Sequence, residues 1–326
     1  MRRSTIIALG VLLLAGLAIG ALWASMSRTN DLGAGADREI AALRDAESKR
    51  RPASGASSTP PLCKGLDIDT RGTVQDPSLD ELSGLVVSRR SPSTTFWAIE
   101  DSGAEPVFSV LRSRGTMGSA NWTAAGAANV DWEDLATGPG PSGPVLYAAD
   151  IGDNDSVRES VSVYRVTEPV DPGSGGTTAP AQRLELTYPD GAHDAETLLV
   201  DPRRGTLVIV TKGLAGGAAY AVNPPAGFAG KAKLRKVGPV PIPLATGGDI
   251  SSDGRTVAVR GYFSLSVWRR RGDEAITQTL RRSSCTSPTA LTDGQGEALA
   301  LSKTGTTAWT VAEGTNPKVQ RLRPQG

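Results

Sequence analysis

The sequence predicts an all-β chain: a β-propeller of five four-stranded blades, closed by strands from its two ends, behind an N-terminal transmembrane helix. Three observations carry this. A charged residue followed closely by glycine recurs at Asp101 before Gly103, Asp150 before Gly152, Lys212-Gly213, Arg260-Gly261 and Glu313-Gly314. Each lies about one hairpin downstream of an acidic or small-residue anchor, namely Ser83, Glu133, Glu196, Gly248 and Glu297. The anchors stand 50, 63, 52 and 49 residues apart, a period that marks a radial or stacked array.

The chain begins with an address. Arg2 and Arg3 precede an uncharged apolar run from Thr5 to Ala24. About twenty residues at about 1.5 Å rise span a hydrocarbon core of about 30 Å. Residues 1–27 therefore read as a cytoplasmic basic end and a signal anchor, giving a single-pass protein of the cell membrane whose C-terminal part lies outside the cytoplasm. Secretion after cleavage is the alternative, with only the poor site Leu22-Trp23-Ala24 to support it. Residues 28–62 form a stalk: Ile40, Leu43 and Ala46 have helical spacing, and Pro52 to Pro61 is a flexible spacer. Residues 63–326 are the propeller domain.

Within each repeat an apolar strand leads through a turn to a second strand rich in aromatic and β-branched residues, from Thr95, Val145, Leu207, Thr256 and Ala308 onward. Third strands follow near Val107, Val161, Ala218, Phe263 and Lys318. Fourth strands are placed near Asn121, Arg183, Lys233 and at Ile276 to Leu280. The last unit has room for three strands only, and Leu66 to Val74 supplies the missing one, which removes the exposed edge of an open array. A sixth blade is the alternative count; it would fall near Pro169 to Pro180, where Gly and Ser content argues against it.

Lys plus Arg number 35 and Asp plus Glu 34, so no net field favours nucleic acid, and a monomer is expected. The basic run Arg269-Arg270-Arg271 reads as a solvated strand edge or turn. Cys63 and Cys285 are the only cysteines; outside the cytoplasm they either pair as a disulfide or remain two buried thiols.

Strand geometry locates the chemistry. The start of a first strand and the end of a second lie at one end of an antiparallel blade, so anchors and charged residues converge on one mouth of the central channel. That mouth collects Asp131, Glu133, Asp150, Asp153, Asn154, Asp194, Glu196, Asp249 and Glu297 as metal-ligand candidates. Lys212, Arg260, Asp101 and Glu313 are ligand-binding candidates, the two cations marking the side for an anionic group. An oxygen-only donor set points to Ca²⁺, and Asp150-Ile151-Gly152-Asp153-Asn154 offers carboxylate, amide and backbone oxygens in one loop. A single histidine and no paired cysteines disfavour zinc. Individual acids are alternatively turn caps or salt-bridge partners. There is no Gly-x-Ser-x-Gly elbow, so catalytic candidates reduce to Glu133, Glu196 and His193 as general bases, His193 being alternatively a structural hydrogen-bonder.

Taken in order, Glu81-Leu82-Ser83-Gly84-Leu85, Asp131-Trp132-Glu133-Asp134-Leu135-Ala136, Asp150-Ile151-Gly152-Asp153-Asn154 with Arg158, Tyr164 to Pro169, Thr246 to Ile250 and Gly294 to Ala298 resemble a family of secreted actinobacterial β-propellers over about residues 65 to 325. More distantly the chain is similar to calcium-dependent phytase-like and esterase-like propellers. That resemblance implies a channel-mouth metal and ester hydrolysis, although the phytase propellers have six blades and more lysines around phosphate. The expectation is a membrane-anchored extracytoplasmic propeller that binds Ca²⁺ and a small-molecule or cell-envelope ligand. The alternative is a Ca²⁺-dependent hydrolase of phosphoesters or lactones.

Overall fold

The computed structural model describes residues 59–326 apart from 94, 102, 113, 114, 118, 119, 292 and 293. The expected transmembrane helix and nearly all of the expected stalk lie outside the described residues. No helix among the described residues is long and apolar enough to cross a membrane.

Five sheets, each with four antiparallel strands, form the five blades. Their first strands are Leu82–Val87, Trp132–Gly140, Ala195–Val200, Ala245–Ile250 and Gly296–Leu301. Successive first strands lie against one another and the last lies against the first, which makes the ring. Those of blades 3 and 5 are buried along their whole length. Strands facing packed neighbours on both sides read as continuous apolar runs rather than alternating ones. Aromatic pairs fill the wedges between blades, such as Phe96 on Trp309 at 5.3 Å and Phe108 on Trp132 at 5.7 Å between ring centroids.

Both chain ends close the ring. Leu66–Val74 pairs antiparallel with Lys318–Pro324, from Leu66 opposite Pro324 to Thr73 opposite Lys318, and completes blade 5. Cys63 is joined to Cys285, on the outer strand of blade 4, with Cα atoms 5.9 Å apart and a sequence separation of 222. In the chain-entropy account a cross-link over so long a loop contributes about 4 to 5 kcal/mol.

Between its third and fourth strands, each of blades 1 to 3 sends a short strand to the outer edge of the preceding blade. Gly115–Met117 adds parallel to Leu66–Val74, Gly176–Thr177 to Ala120–Thr123, and Gly230–Lys233 to Gln182–Thr187. The segment considered for a sixth blade is thus a brace for blade 1. Blade 4 uses a helix instead. Ile276–Leu280 is α-helical, not the predicted fourth strand; Ile276 and Leu280, four apart, bury one face beside Val237 and Val240 of blade 3. The true fourth strand is Cys285–Thr286. Arg270 also departs from expectation: it is 4% exposed, and its guanidinium is paired with the equally buried Asp201.

Candidate functional site

Every first strand carries a β-bulge at the same level. The pairing slips between Leu82 and Gly84, Trp132 and Asp134, Ala195 and Thr197, Ala245 and Gly247, and Gly296 and Ala298. The extra residues are Ser83, Glu133, Glu196, Thr246 and Glu297. A bulge re-aims a side chain and ends regular pairing, and five at one level form a ring at the channel mouth. Where the residue bears a hydroxyl, it donates to the next blade: Ser83 Oγ to Trp132 O at 2.9 Å, and Thr246 Oγ1 to Gly296 O at 2.8 Å.

The anchor of blade 4 is accordingly Thr246, not Gly248, and this corrects the residues read from it. Arg260 pairs with Gly247 inside the sheet, is fully buried, and donates to Thr310 Oγ1 and to the Gly261 carbonyl, so it is not a ligand-binding cation at the mouth. Asp249 sits deeper in the channel. Its carboxylate accepts from Ile250 N at 2.7 Å and from Leu301 N of blade 5 at 2.8 Å. Burial pushes Asp249 up to about 7. The mouth residue that takes the place assigned to Arg260 is Tyr262. The interval from bulge to second-strand end would have found it: Glu196 to Lys212, Thr246 to Tyr262 and Glu297 to Glu313 are each sixteen residues.

The loop Asp150–Asn154 also differs from a calcium loop. Asp150 Oδ1 accepts from Arg158 Nη2 at 2.8 Å and from Asp131 N at 3.2 Å. Asp153 accepts from Val157 N at 2.9 Å and Arg158 N at 2.8 Å, while Asn154 is exposed. Protein donors already engage these carboxylates, so the loop is a structural latch. Its Gly152 has a separate duty. A Cβ there would collide with Glu133 Oε1 and Asp131 Oδ2, so glycine lets both acids lie over the backbone. His193 turns away from Glu133 and Glu196. Its Nε2 is 3.0 Å from both Asp190 Oδ1 and the Tyr220 hydroxyl, and its ring stacks edge-on to Tyr188.

What remains at the mouth is compact. Asp101, Asp131 and Glu133 offer one carboxylate oxygen each, all within 4.8 Å of one another, and Glu133, Asp194 and Glu196 do the same. Glu133 belongs to both triads. It is 6% exposed, and burial, then the charges of Glu196, Asp101 and Asp131, push its carboxyl well above the usual range. Burial likewise lifts Glu196, although Lys212 Nζ donates to its Oε1. Its Oε2 is buried and lacks a hydrogen-bond partner among the described residues. Burial also raises Asp131, beside Asp101, and Glu297, beside Lys212, to about 7. Glu313 reaches about 7 through burial and the charge of Asp101. Burial alone would lower the Lys212 ammonium, but Glu196, Tyr262 and Glu297 overcome it and hold the group above its ordinary value. The Lys212 ammonium is thus held as the cation beside Glu196.

A carboxylate buried without donors is costly unless it is protonated or a cation comes to it. Two triads of oxygen donors within one ion's reach, one containing an orphaned oxygen, could hold a metal ion.

No protein-family model matches the chain, and no curated protein matches it. Solved structures with a similar chain path include three enzymes. One is a PQQ-bound aldose sugar dehydrogenase from Streptomyces coelicolor, 12% identical over 80% of this chain and 98% of that one, with a TM-score of 0.46. Another is a gluconolactonase from Xanthomonas campestris, 13% identical over 85% and 99%, TM-score 0.44. The third is a luciferin-regenerating enzyme, 12% identical over 80% and 96%, TM-score 0.41. The likeness is one of fold; the chemistry of the mouth rests on this chain's own residues.

Proposed function

We propose that this protein is a membrane-tethered extracytoplasmic β-propeller that binds a divalent cation, Ca²⁺ by its donor set, and with it a ligand or partner at the acidic mouth. The observation that carries the reading is the position of Glu133 in both carboxylate triads beside the orphaned Glu196 Oε2. Asp101, Asp131, Glu133, Asp194 and Glu196 would hold the ion. When bound, it supplies positive charge for an oxygen ligand and acidity for a coordinated water. The tether follows from the apolar run Thr5 to Ala24 after Arg2 and Arg3.

The test is a thermal melt of the chain with and without Ca²⁺. Occupancy at a hundredfold excess over Kd stabilises by about 2.7 kcal/mol, which is several degrees for a domain of this size. Glu133→Gln keeps the shape of the side chain, removes the shared charge, and abolishes the shift. A melting temperature of the unmutated chain indifferent to Ca²⁺ sinks the reading.

The second reading is a Ca²⁺-dependent hydrolase of phosphoesters or lactones. It is favoured by the Lys212 ammonium beside two buried carboxylates, one of which, Glu133, would accept a proton from water. Turnover of a lactone and phosphoester panel by the unmutated chain, lost in Glu133→Gln, selects this reading over binding alone.

A further inference from the structure

The mouth is lopsided. At the bulge level and the two levels flanking it, blades 1, 2, 3 and 5 each supply carboxylates, whereas blade 4 supplies Leu244, Thr246 and Tyr262. The exposed apolar side chains follow the same division of ends. Of the five large ones among the described residues, Val130, Val157, Leu214 and Phe263 lie on loops at the mouth end, and Val170 lies at the other. Leu214 and Phe263 are 85% and 67% exposed; Leu214 lies two residues after Lys212, and Phe263 follows Tyr262.

These residues form one lip because their loops are tied together. Leu244 N donates to Gly213 O at 2.8 Å, Gly261 N to Ser264 O at 2.9 Å, and Leu291 N to Phe263 O at 3.1 Å. Leu244 is held at a φ of 51°, a left-handed conformation that a leucine adopts at a cost of about 1 to 3 kcal/mol when its surroundings enforce it. The lip is thus a preformed apolar edge on an otherwise acidic mouth.

The mouth already holds one ammonium group. Lys212 Nζ sits on Glu196 and 5.6 Å from the centroid of the Tyr262 ring, and that ring is 6.3 Å from Phe263. Glu297 and Glu313 stand outside both triads. Glu297 is 6% exposed and already feels the charges of Lys212 and Arg260 and a hydrogen bond from Tyr262, while Glu313 has the Gln295 side-chain amide at 3.3 Å as its hydrogen-bond donor. Arg260 is buried but its charge reaches Glu297, and acids outnumber cations at the mouth even when Lys212, Arg260 and a divalent ion in the triads are all counted. An aromatic wall beside carboxylates in excess over cations recognises organic ammonium groups through charge and cation–π attraction together.

We infer that the mouth takes a small amphiphilic organic cation, with its ammonium beside Glu297 and Glu313 and its apolar body across Leu214, Leu244, Tyr262 and Phe263. The inference rests on the reading of the mouth as a cation site and names a second occupant for it.

Calorimetric titration of the full-length chain with n-octylammonium, n-butylammonium and octanoate, each with and without Ca²⁺, tests it. Four further methylene groups half-buried on an open lip give n-octylammonium about tenfold tighter binding than n-butylammonium, and octanoate does not bind. Leu214→Ser with Phe263→Ser removes the length preference and leaves the calcium-induced thermal shift intact. Glu313→Gln weakens both amines alike. Equal affinity for the two amines, a length preference that survives the lip variant, or octanoate binding as well as n-octylammonium overturns the inference. A missing calcium shift with the amine preference intact overturns the divalent-ion reading alone.

Discussion

Glu133 and Asp134 are adjacent in sequence and opposite in circumstance. Asp134 is fully buried, but Leu135 N donates to its Oδ1 and Leu198 N of blade 3 to its Oδ2, both at 2.8 Å. Asp249 does the same between blades 4 and 5. These deeper acids stitch neighbouring first strands together by accepting an amide that would otherwise be orphaned. Glu133, 6% exposed, accepts no hydrogen bond from the described residues and faces other acids. Burial is therefore a poor guide to role. The partner list separates a structural carboxylate from one kept for something the chain does not supply.

The largest effect expected from this difference is on stability. Asp134→Ala strands two buried amides and costs about 3 kcal/mol, measured as the denaturant midpoint at constant slope. Glu133→Gln in calcium-free buffer is neutral or stabilising, because it removes a desolvated charge. A loss as large for Glu133→Gln as for Asp134→Ala would erase the distinction.

The pH dependence is the next largest. Glu133 and Glu196 titrate well above their ordinary values, and Asp131, Glu297 and Glu313 near 7. Between about pH 4.5 and 7 the folded chain retains protons that the unfolded chain has released, so stability is highest at the acid end and falls as pH rises through that window. Asp134 and Asp249 add to the slope, since burial outweighs their amide donors. Melting temperatures across the window should decline in calcium-free buffer, with a shallower decline for Glu133→Gln with Glu196→Gln. Added Ca²⁺ should restore most of the loss at the alkaline end. A melting temperature that climbs with pH in calcium-free buffer contradicts the electrostatics described.

The blade count and the ring closure were legible because they follow from spacing and from one strand left over at each end, as the pairing of Leu66–Val74 with Lys318–Pro324 bears out. The level of each acid was harder to read. A bulge inserts one residue without a compositional mark, and Gly247-Gly248 supplied a false anchor two residues beyond Thr246 that carried Asp249 to the mouth, while Arg260-Gly261 matched the charged-residue and glycine repeat without sharing its position. The latch of Asp150 and Asp153 depends on Arg158, whose reach is a matter of loop shape. The helix Ile276–Leu280 had a readable signal, two apolar residues four apart, but the expected fourth strand took precedence over it.

The smallest effect sharpens the comparison most, because it concerns residues at the same bulge level as Glu133. Ser83 and Thr246 spend their hydroxyls on carbonyls of the next blade, so Ser83→Ala and Thr246→Val each lose one neutral hydrogen bond, about 1 kcal/mol. Neither should alter the calcium-induced shift, since neither side chain belongs to a triad. Were Thr246→Val to weaken that shift as Glu133→Gln does, the bulge level itself, not its carboxylates, would be what organises the site, and the apolar sector of blade 4 would have to be counted among the elements that hold the ion.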